Sequence, residues 1–173
     1  MTDTADIAII GAGAAGLMAA IAAGRAAKPG TTILALDGAA KLGAKILVAG
    51  GGRCNVTHHA VDESAYAGSS RNSIRNVLRA FTVEDTISFF ADRGVTLKKE
   101  DTGKLFPTTD DAHTILDALL FAARKANVQL IHPWRVESVE ARNEGFLITS
   151  ADPATPLSLE GTFDKAPLSQ AVE

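Results

Sequence analysis

Two glycine-rich stretches carry the residues whose types and spacing could do chemistry. "GAGAAG" sets Gly11, Gly13 and Gly16 in a G-x-G-x-x-G pattern, and "GGGRCN" runs from Gly50 through Gly51, Gly52, Arg53 and Cys54 to Asn55. The first pattern suits a pyrophosphate. Gly11 permits a tight turn, Gly13 lets the phosphates approach the backbone, and Gly16 lets the following helix pack closely on its strand. Ala14 and Ala15 then stand in the first helical turn, where unpaired N–H groups and the positive end of the helix dipole face the ligand. Asp37 follows about 20 residues on, where a carboxylate accepts hydrogen bonds from ribose hydroxyls. An acid there repels a 2′-phosphate, so the site favours FAD or NAD over NADP.

Three elements must position those residues. "DIAII" is a short apolar run suited to a strand buried on both faces, as in a parallel sheet. "AAGLMAAIAAGRAAK" has helix composition; Lys28 places a cation at its C-terminal end and Pro29-Gly30 stops it. "TTILALD" is a second buried strand ending on Asp37. Strand, helix and strand form a βαβ unit, the context that the glycine pattern requires.

The second stretch is costly in backbone entropy, since each glycine adds freedom that folding must remove. A nicotinamide-binding Rossmann unit proceeds from its second strand into another helix and strand. Here "GAAKLGAKILVAGGGRCNVTH" returns at once to a glycine-rich loop with cations at Lys41, Lys45 and Arg53. That favours a longer cofactor, whose pyrophosphate, ribityl chain and ring all need a protein wall.

Together "IIGAGAAGLMAA", "KLGAKILVAGGGRCNVT" and "GKLFP" resemble the flavoprotein family labelled aminoacetone-oxidase-like or NAD(P)/FAD-dependent oxidoreductase, which includes a bacterial bile-acid enone reductase. The resemblance covers residues 5 to 150. It implies FAD held by Gly11, Gly13, Gly16, Asp37, Lys45 and the loop Gly50 to Asn55, with Val136 near the adenine, and NAD(P)H as electron donor. The chain departs from the family at Ala44, where arginine is common, at Ala49 (serine), at His58 (asparagine) and at Asp37, which replaces a glutamate. These changes remove one phosphate cation and shorten the ribose contact. Family members continue well beyond this length, so the resemblance implies the N-terminal, truncated part of a flavoprotein.

The rest of the chain reads as support. "SIRNVLRAF" and "VEDTISFFADRG" are helical, the second opened by a Thr82–Asp85 capping box and closed by Gly94. Phe89 and Phe90 are core residues. "DDAHTILDALLFAARKAN" is an amphipathic helix with Ile115, Leu116, Leu119 and Leu120 on one side, and "VQLIH" is a further buried strand. "RVESVEARNEGFLITS" alternates on both sides of Asn-Glu-Gly, as a hairpin does. The expected fold is α/β: a Rossmann-like FAD-binding domain with a parallel sheet, helices and a β-meander. It occupies residues 1–150, with 151–173 forming a last meander strand and an irregular tail.

Composition excludes several classes. The 173 residues are 46% hydrophobic and 21% charged with a net charge of −3, which fits a globular core and offers no basic stripe for nucleic acid or membrane. The apolar run Ile7 to Gly24 is punctuated by glycines and opened by Asp6, so it is not a membrane span. The single cysteine excludes an internal disulfide and points to a reducing, cytoplasmic compartment. Cys54 reads as a small residue fitting a tight loop rather than a redox thiol. Arg53 either contacts flavin or phosphate or ties the loop to a carboxylate such as Asp62 or Glu63. His58 and His59 have no metal spacing, and His113 and His132 read as structural. No catalytic triad or carboxylate pair stands out, as expected where a flavin carries the chemistry. Two function classes remain: an FAD-dependent oxidoreductase acting on an unsaturated or amine small molecule, and a non-catalytic dinucleotide-binding module or NAD-dependent Rossmann enzyme.

Overall fold

The computed structural model describes residues 3–150 and 159–161. In chain order the elements are β1 (Asp3–Thr4), β2 (Ile7–Ile10), α1 (Ala14–Ala26), β3 (Ile33–Leu36), α2 (Ala44–Val48), β4 (Thr57–His58), α3 (Arg71–Ala80), α4 (Val83–Ala91) and β5 (Leu97–Lys99). β6 (Lys104–Pro107), α5 (Ala112–Lys125), β7 (Val128–Ile131), β8 (Val136–Arg142), β9 (Gly145–Ser150) and β10 (Leu159–Gly161) follow. The chain divides into two compact units, one built from residues 1–44 and 120–173, the other from 45–119. No change of composition marks the division.

The first unit carries a parallel sheet in the order β2-β3-β7, with Ile7 opposite Ile33 and Ile33 opposite Val128. All four residues of β3 are buried, as the apolar run predicts for a strand flanked on both sides. β2 differs: Ile7 to Ile9 are only half-buried and Ile10 is 53% exposed, because β2 lies at one side of the described sheet rather than inside it. Leu17, Ala20 and Ile21 give α1 its buried face. The helix ends at Ala26 with Ala27 already extended, so Arg25 rather than Lys28 supplies the cation in its last turn. Gly24 explains the close packing there, since a Cβ would come 2.2 Å from the Ala126 carbonyl oxygen.

A second sheet in this unit has the order β1-β10-β9-β8. β8 and β9 pair as an antiparallel hairpin closing at Arg142 opposite Gly145, so Asn143 and Glu144 turn the chain and the glycine of the expected Asn-Glu-Gly turn already belongs to β9. β10 pairs antiparallel with β9 and parallel with β1. Residues 151–158 and 162–173, where the irregular tail is expected, lie outside the described residues. Ala5, Leu34, Leu36, Trp134 and Ile148 form a buried cluster drawn from both sheets of the unit.

The second unit has an antiparallel sheet in the order β4-β6-β5. The Thr82–Asp85 capping box opens α4, and Gly94 follows its end with φ of 75°. Phe89 and Phe90 are buried and meet edge to face at 5.2 Å. The short helix α2 was not anticipated; its apolar residues precede three glycines that hide any helical period.

Candidate dinucleotide site

The three glycines of the first motif serve three separate physical needs. Gly11 has φ of 94°, a left-handed conformation that side chains disfavour. A Cβ on Gly16 would lie 1.7 Å from the Gly11 carbonyl oxygen, so helix and strand meet there without room for a methyl group. Gly13 is different, because an added Cβ would meet nothing within 4 Å. No described residue requires glycine at that position. The space in front of it is open, as a ligand approaching the backbone needs.

Gly13 is also the N-cap of α1, without a side-chain cap and without an acid in the first turn. The thirteen-residue helix therefore presents its N-terminal amides, at exposed Ala14 and Ala15, to solvent or an anion. Asp37 sits at the end of β3 beside this loop. Its Oδ2 accepts from the Ala12 N–H at 2.7 Å and its Oδ1 from the Ala39 N–H at 2.8 Å. Its main chain is tied as well: its N–H donates to the Ile131 carbonyl, and its carbonyl accepts from Trp134 at 2.7 Å. A carboxylate has about four acceptor positions, so two amides leave both oxygens able to take ribose hydroxyls. Val136 follows Trp134 by two residues and packs on the Leu36–Trp134 cluster. The first unit thus ties Asp37 to the loop of Gly11, Gly13, Ala14, Ala15 and Gly16, and carries Val136 on its buried cluster.

Sequence reasoning did not anticipate the amides of Ala12 and Ala39, nor the close approach at Gly38, where a Cβ would come 2.9 Å from that of Arg135. Backbone donors leave no signal in residue type. Gly38, directly after the acid, was the available clue.

The remaining expected contacts belong to the second unit. Lys45 is exposed in α2. The loop after it answers why three glycines run together: Gly50, Gly51 and Gly52 have φ of 58°, 71° and 86°. Cys54, at 62°, is left-handed too and buried. Burial pushes its thiol above the ordinary value, which fits a packing residue better than a nucleophile. Asn55 is exposed. Arg53 does tie the loop to carboxylates, but to Glu100 and Asp110 rather than Asp62 or Glu63. Glu63 pairs instead with Arg75, which holds its carboxyl down to about 2.

His58 and His59 bond to carbonyls of Ala60, Thr102 and Gly103, and among the described residues no His, Cys, Asp and Glu group could hold a metal. A cleft of about 610 Å³ also opens in this unit, lined by Tyr66, Arg75, Arg79 and Phe81 among others. None of the residues expected to hold a cofactor lines it.

The family described as "HI0933-like protein Rossmann domain" matches residues 5–160. The chain belongs to this family. Curated relatives carry two different names. The chain is 38% identical over 142 residues to a 3-dehydro-bile acid delta(4,6)-reductase of Clostridium scindens, covering 82% of this chain and 34% of that protein. It is 36% identical over 143 residues to a ribosomal RNA dihydrouridine synthase of Escherichia coli, covering 83% and 35%. The chain thus spans about a third of the length of the curated relatives it matches. Among solved structures, the 3-ketosteroid-delta4-(5alpha)-dehydrogenase of Rhodococcus jostii superposes with a TM-score of 0.68 at 16% identity, over 92% of this chain and 44% of that one. At that identity the likeness establishes the fold alone: a Rossmann-like α/β domain with a parallel sheet. Among the described residues no helix is long and apolar enough to cross a membrane.

Proposed function

We propose that this HI0933-like chain is the FAD-binding portion of a flavin-dependent oxidoreductase that passes a hydride from NAD(P)H to a carbon–carbon double bond conjugated with a carbonyl in a small-molecule substrate. When bound, FAD supplies the hydride transfer itself. The chain's own residues would bind and orient: the α1 amides at Ala14 and Ala15 and the open face of Gly13 take the pyrophosphate, Asp37 takes the ribose, and Val136 lies beside the adenine. Lys45 and the Gly50–Asn55 loop enter the reading as further cofactor contacts on their sequence pattern.

The observation that carries the proposal is the glycine at position 13 facing open space at an uncapped helix N-terminus, beside a carboxylate already oriented by Ala12. The double-bond chemistry rests on the names of the two relatives, since a delta-reductase and a dihydrouridine synthase both saturate a carbon–carbon bond next to a carbonyl. A lone buried cysteine supports a reducing, cytoplasmic setting.

The test is the visible spectrum of the purified protein, followed by NAD(P)H oxidation with a steroid enone. In a full-length context, flavin absorption and enone-dependent turnover are expected. A colourless protein that binds NAD would favour the dinucleotide module or NAD enzyme instead. Similarity to ribosomal RNA dihydrouridine synthases supports one other substrate, a uracil in RNA; turnover with an RNA transcript and none with the enone would select it.

A further inference from the structure

We infer that Arg53 is a positioning residue: it holds the Gly50–Asn55 loop in its left-handed shape by clamping it to the β5–β6 hairpin, and takes no part in cofactor contact itself. The inference rests on the reading that this loop belongs to the FAD site, and it assigns the guanidinium a different task from the one its charge suggests.

The loop needs such a clamp. Its left-handed residues include Cys54, whose Cβ makes that conformation unfavourable by itself. The turn is closed from inside, because the Ala49 carbonyl accepts from both the Arg53 and the Cys54 amides. Those two N–H groups are therefore taken, and neither is available to a phosphate.

From outside, the loop grips one ring. A Cβ on Gly50 would stand 2.6 Å from Cε1 of Phe106, so the Gly50 backbone lies directly against that ring. The Arg53 guanidinium covers the ring 4.2 Å from its centroid. Phe106 belongs to β6, the strand of the "GKLFP" stretch, and the adjacent chain is laced to it by the Val56 N–H donating to the Leu105 carbonyl. Gly50 and Arg53 of the "GGGRCN" stretch thus enclose a residue of the "GKLFP" stretch.

The charge is spent in the same place. Arg53 Nη1 bonds Oε1 of Glu100 and stands 3.5 Å from Oδ1 of Asp110, and Lys98 pairs with the other oxygen of Asp110. Glu100 is held by the hairpin turn: its N–H donates to the Lys104 carbonyl and its own carbonyl accepts from Gly103. The hydrogen bond from Arg53 to Glu100 is the leading cause that raises the guanidinium's pKa. Two carboxylates and a ring face occupy the group that a phosphate would otherwise claim.

Opposite signs separate the two roles. FAD and AMP are titrated separately into the wild-type chain, Arg53→Met, Arg53→Lys, Glu100→Gln and the Arg53→Met/Glu100→Gln double variant. If Arg53 positions the loop, Arg53→Met and Glu100→Gln each weaken FAD by about 3- to 30-fold, and the double variant loses no more than the worse single, as coupled partners do. Arg53→Lys recovers part of the loss, and AMP affinity stays at the wild-type value in all. If Arg53 were a phosphate ligand, Glu100→Gln would free it and bind FAD as well as or better than wild type; that result, or unchanged FAD affinity in Arg53→Met, overturns the inference. Hydrogen exchange of the residue 50–55 amides without cofactor keeps the clamp testable should the FAD reading itself fail. Both single variants should speed exchange there, and wild-type protection in Arg53→Met would refute the clamp whatever the protein binds.

Discussion

The Ala12 amide donates to Oδ2 of Asp37 across 2.7 Å, joining two residues 25 positions apart in the chain. This bond ties the turn that would face the phosphates to the acid that would face the ribose. Asp37→Ala breaks it together with the Ala39 bond. FAD affinity should fall by ~1–3 kcal/mol, the range for leaving hydrogen-bond partners unsatisfied, and thermal stability should fall with it. Isothermal titration and a melting curve measure both. Unchanged FAD affinity with lowered stability would leave Asp37 a purely architectural residue.

The glycines of the first motif should respond in opposite ways. Gly13→Val keeps the fold, since the added atoms enter open space, but obstructs the pyrophosphate. Gly16→Ala puts a methyl group into the Gly11 carbonyl and should cost at least ~1–3 kcal/mol of stability, the usual range for overpacking. Circular dichroism melts and flavin titration distinguish the two; a Gly13→Val protein that holds FAD normally would mean the phosphates bind elsewhere.

In the second loop, Gly51→Ala and Gly50→Ala should differ in severity. Both impose left-handed backbone on alanine, about 1–2 kcal/mol. Only Gly50 also drives a Cβ toward Phe106. Urea unfolding should therefore rank Gly50→Ala well below Gly51→Ala, and equal midpoints would show that Phe106 moves aside freely.

Cys54 should resist thiol reagents. It is 6% exposed and its pKa is raised by burial, so little thiolate forms near neutral pH and less is reachable. Alkylation of the native protein should run far slower than alkylation in denaturant, and Cys54→Ser in a full-length context should retain most of its turnover.

The Glu63–Arg75 pair predicts an acid-side effect. Glu63 titrates at about 2 in the folded chain against an ordinary 4.5. A depressed folded value stabilises above the unfolded value and is lost as pH falls through the folded one. Glu63→Gln should flatten the stability profile between about pH 5 and 2, most visibly at low salt because the pair reaches solvent. Identical profiles for variant and wild type would exclude the pair from acid unfolding.

The βαβ unit and its glycine motif were legible because each depends on neighbours in sequence. Strand runs, helix composition and the Asp37 spacing all lie within β2 to β3. The Thr82–Asp85 cap and the Asn-Glu turn were legible for the same reason. Arg53 shows the limit. Asp62 and Glu63 are its near acids in sequence, yet its partner Glu100 lies 47 positions away, and only the β5–β6 turn brings that carboxylate within reach. The end of α1 falls two residues before the expected Lys28, where Ala27 turns extended, and the close approach of Gly24 to Ala126 is likewise remote in sequence.

The pairing of β7 with β3 has a consequence for synthesis. Residues 45–119 form a contiguous unit, so they are synthesised before Val128, and all three strands of their sheet lie within them. The parallel sheet must wait: β3 gains its second neighbour only when β7 emerges, and β1 is paired only when β10 arrives. The part of the chain translated first is therefore the part completed last. During that interval the apolar β3 has β2 on one side and nothing on the other, which makes it the segment most in need of a chaperone on the nascent chain.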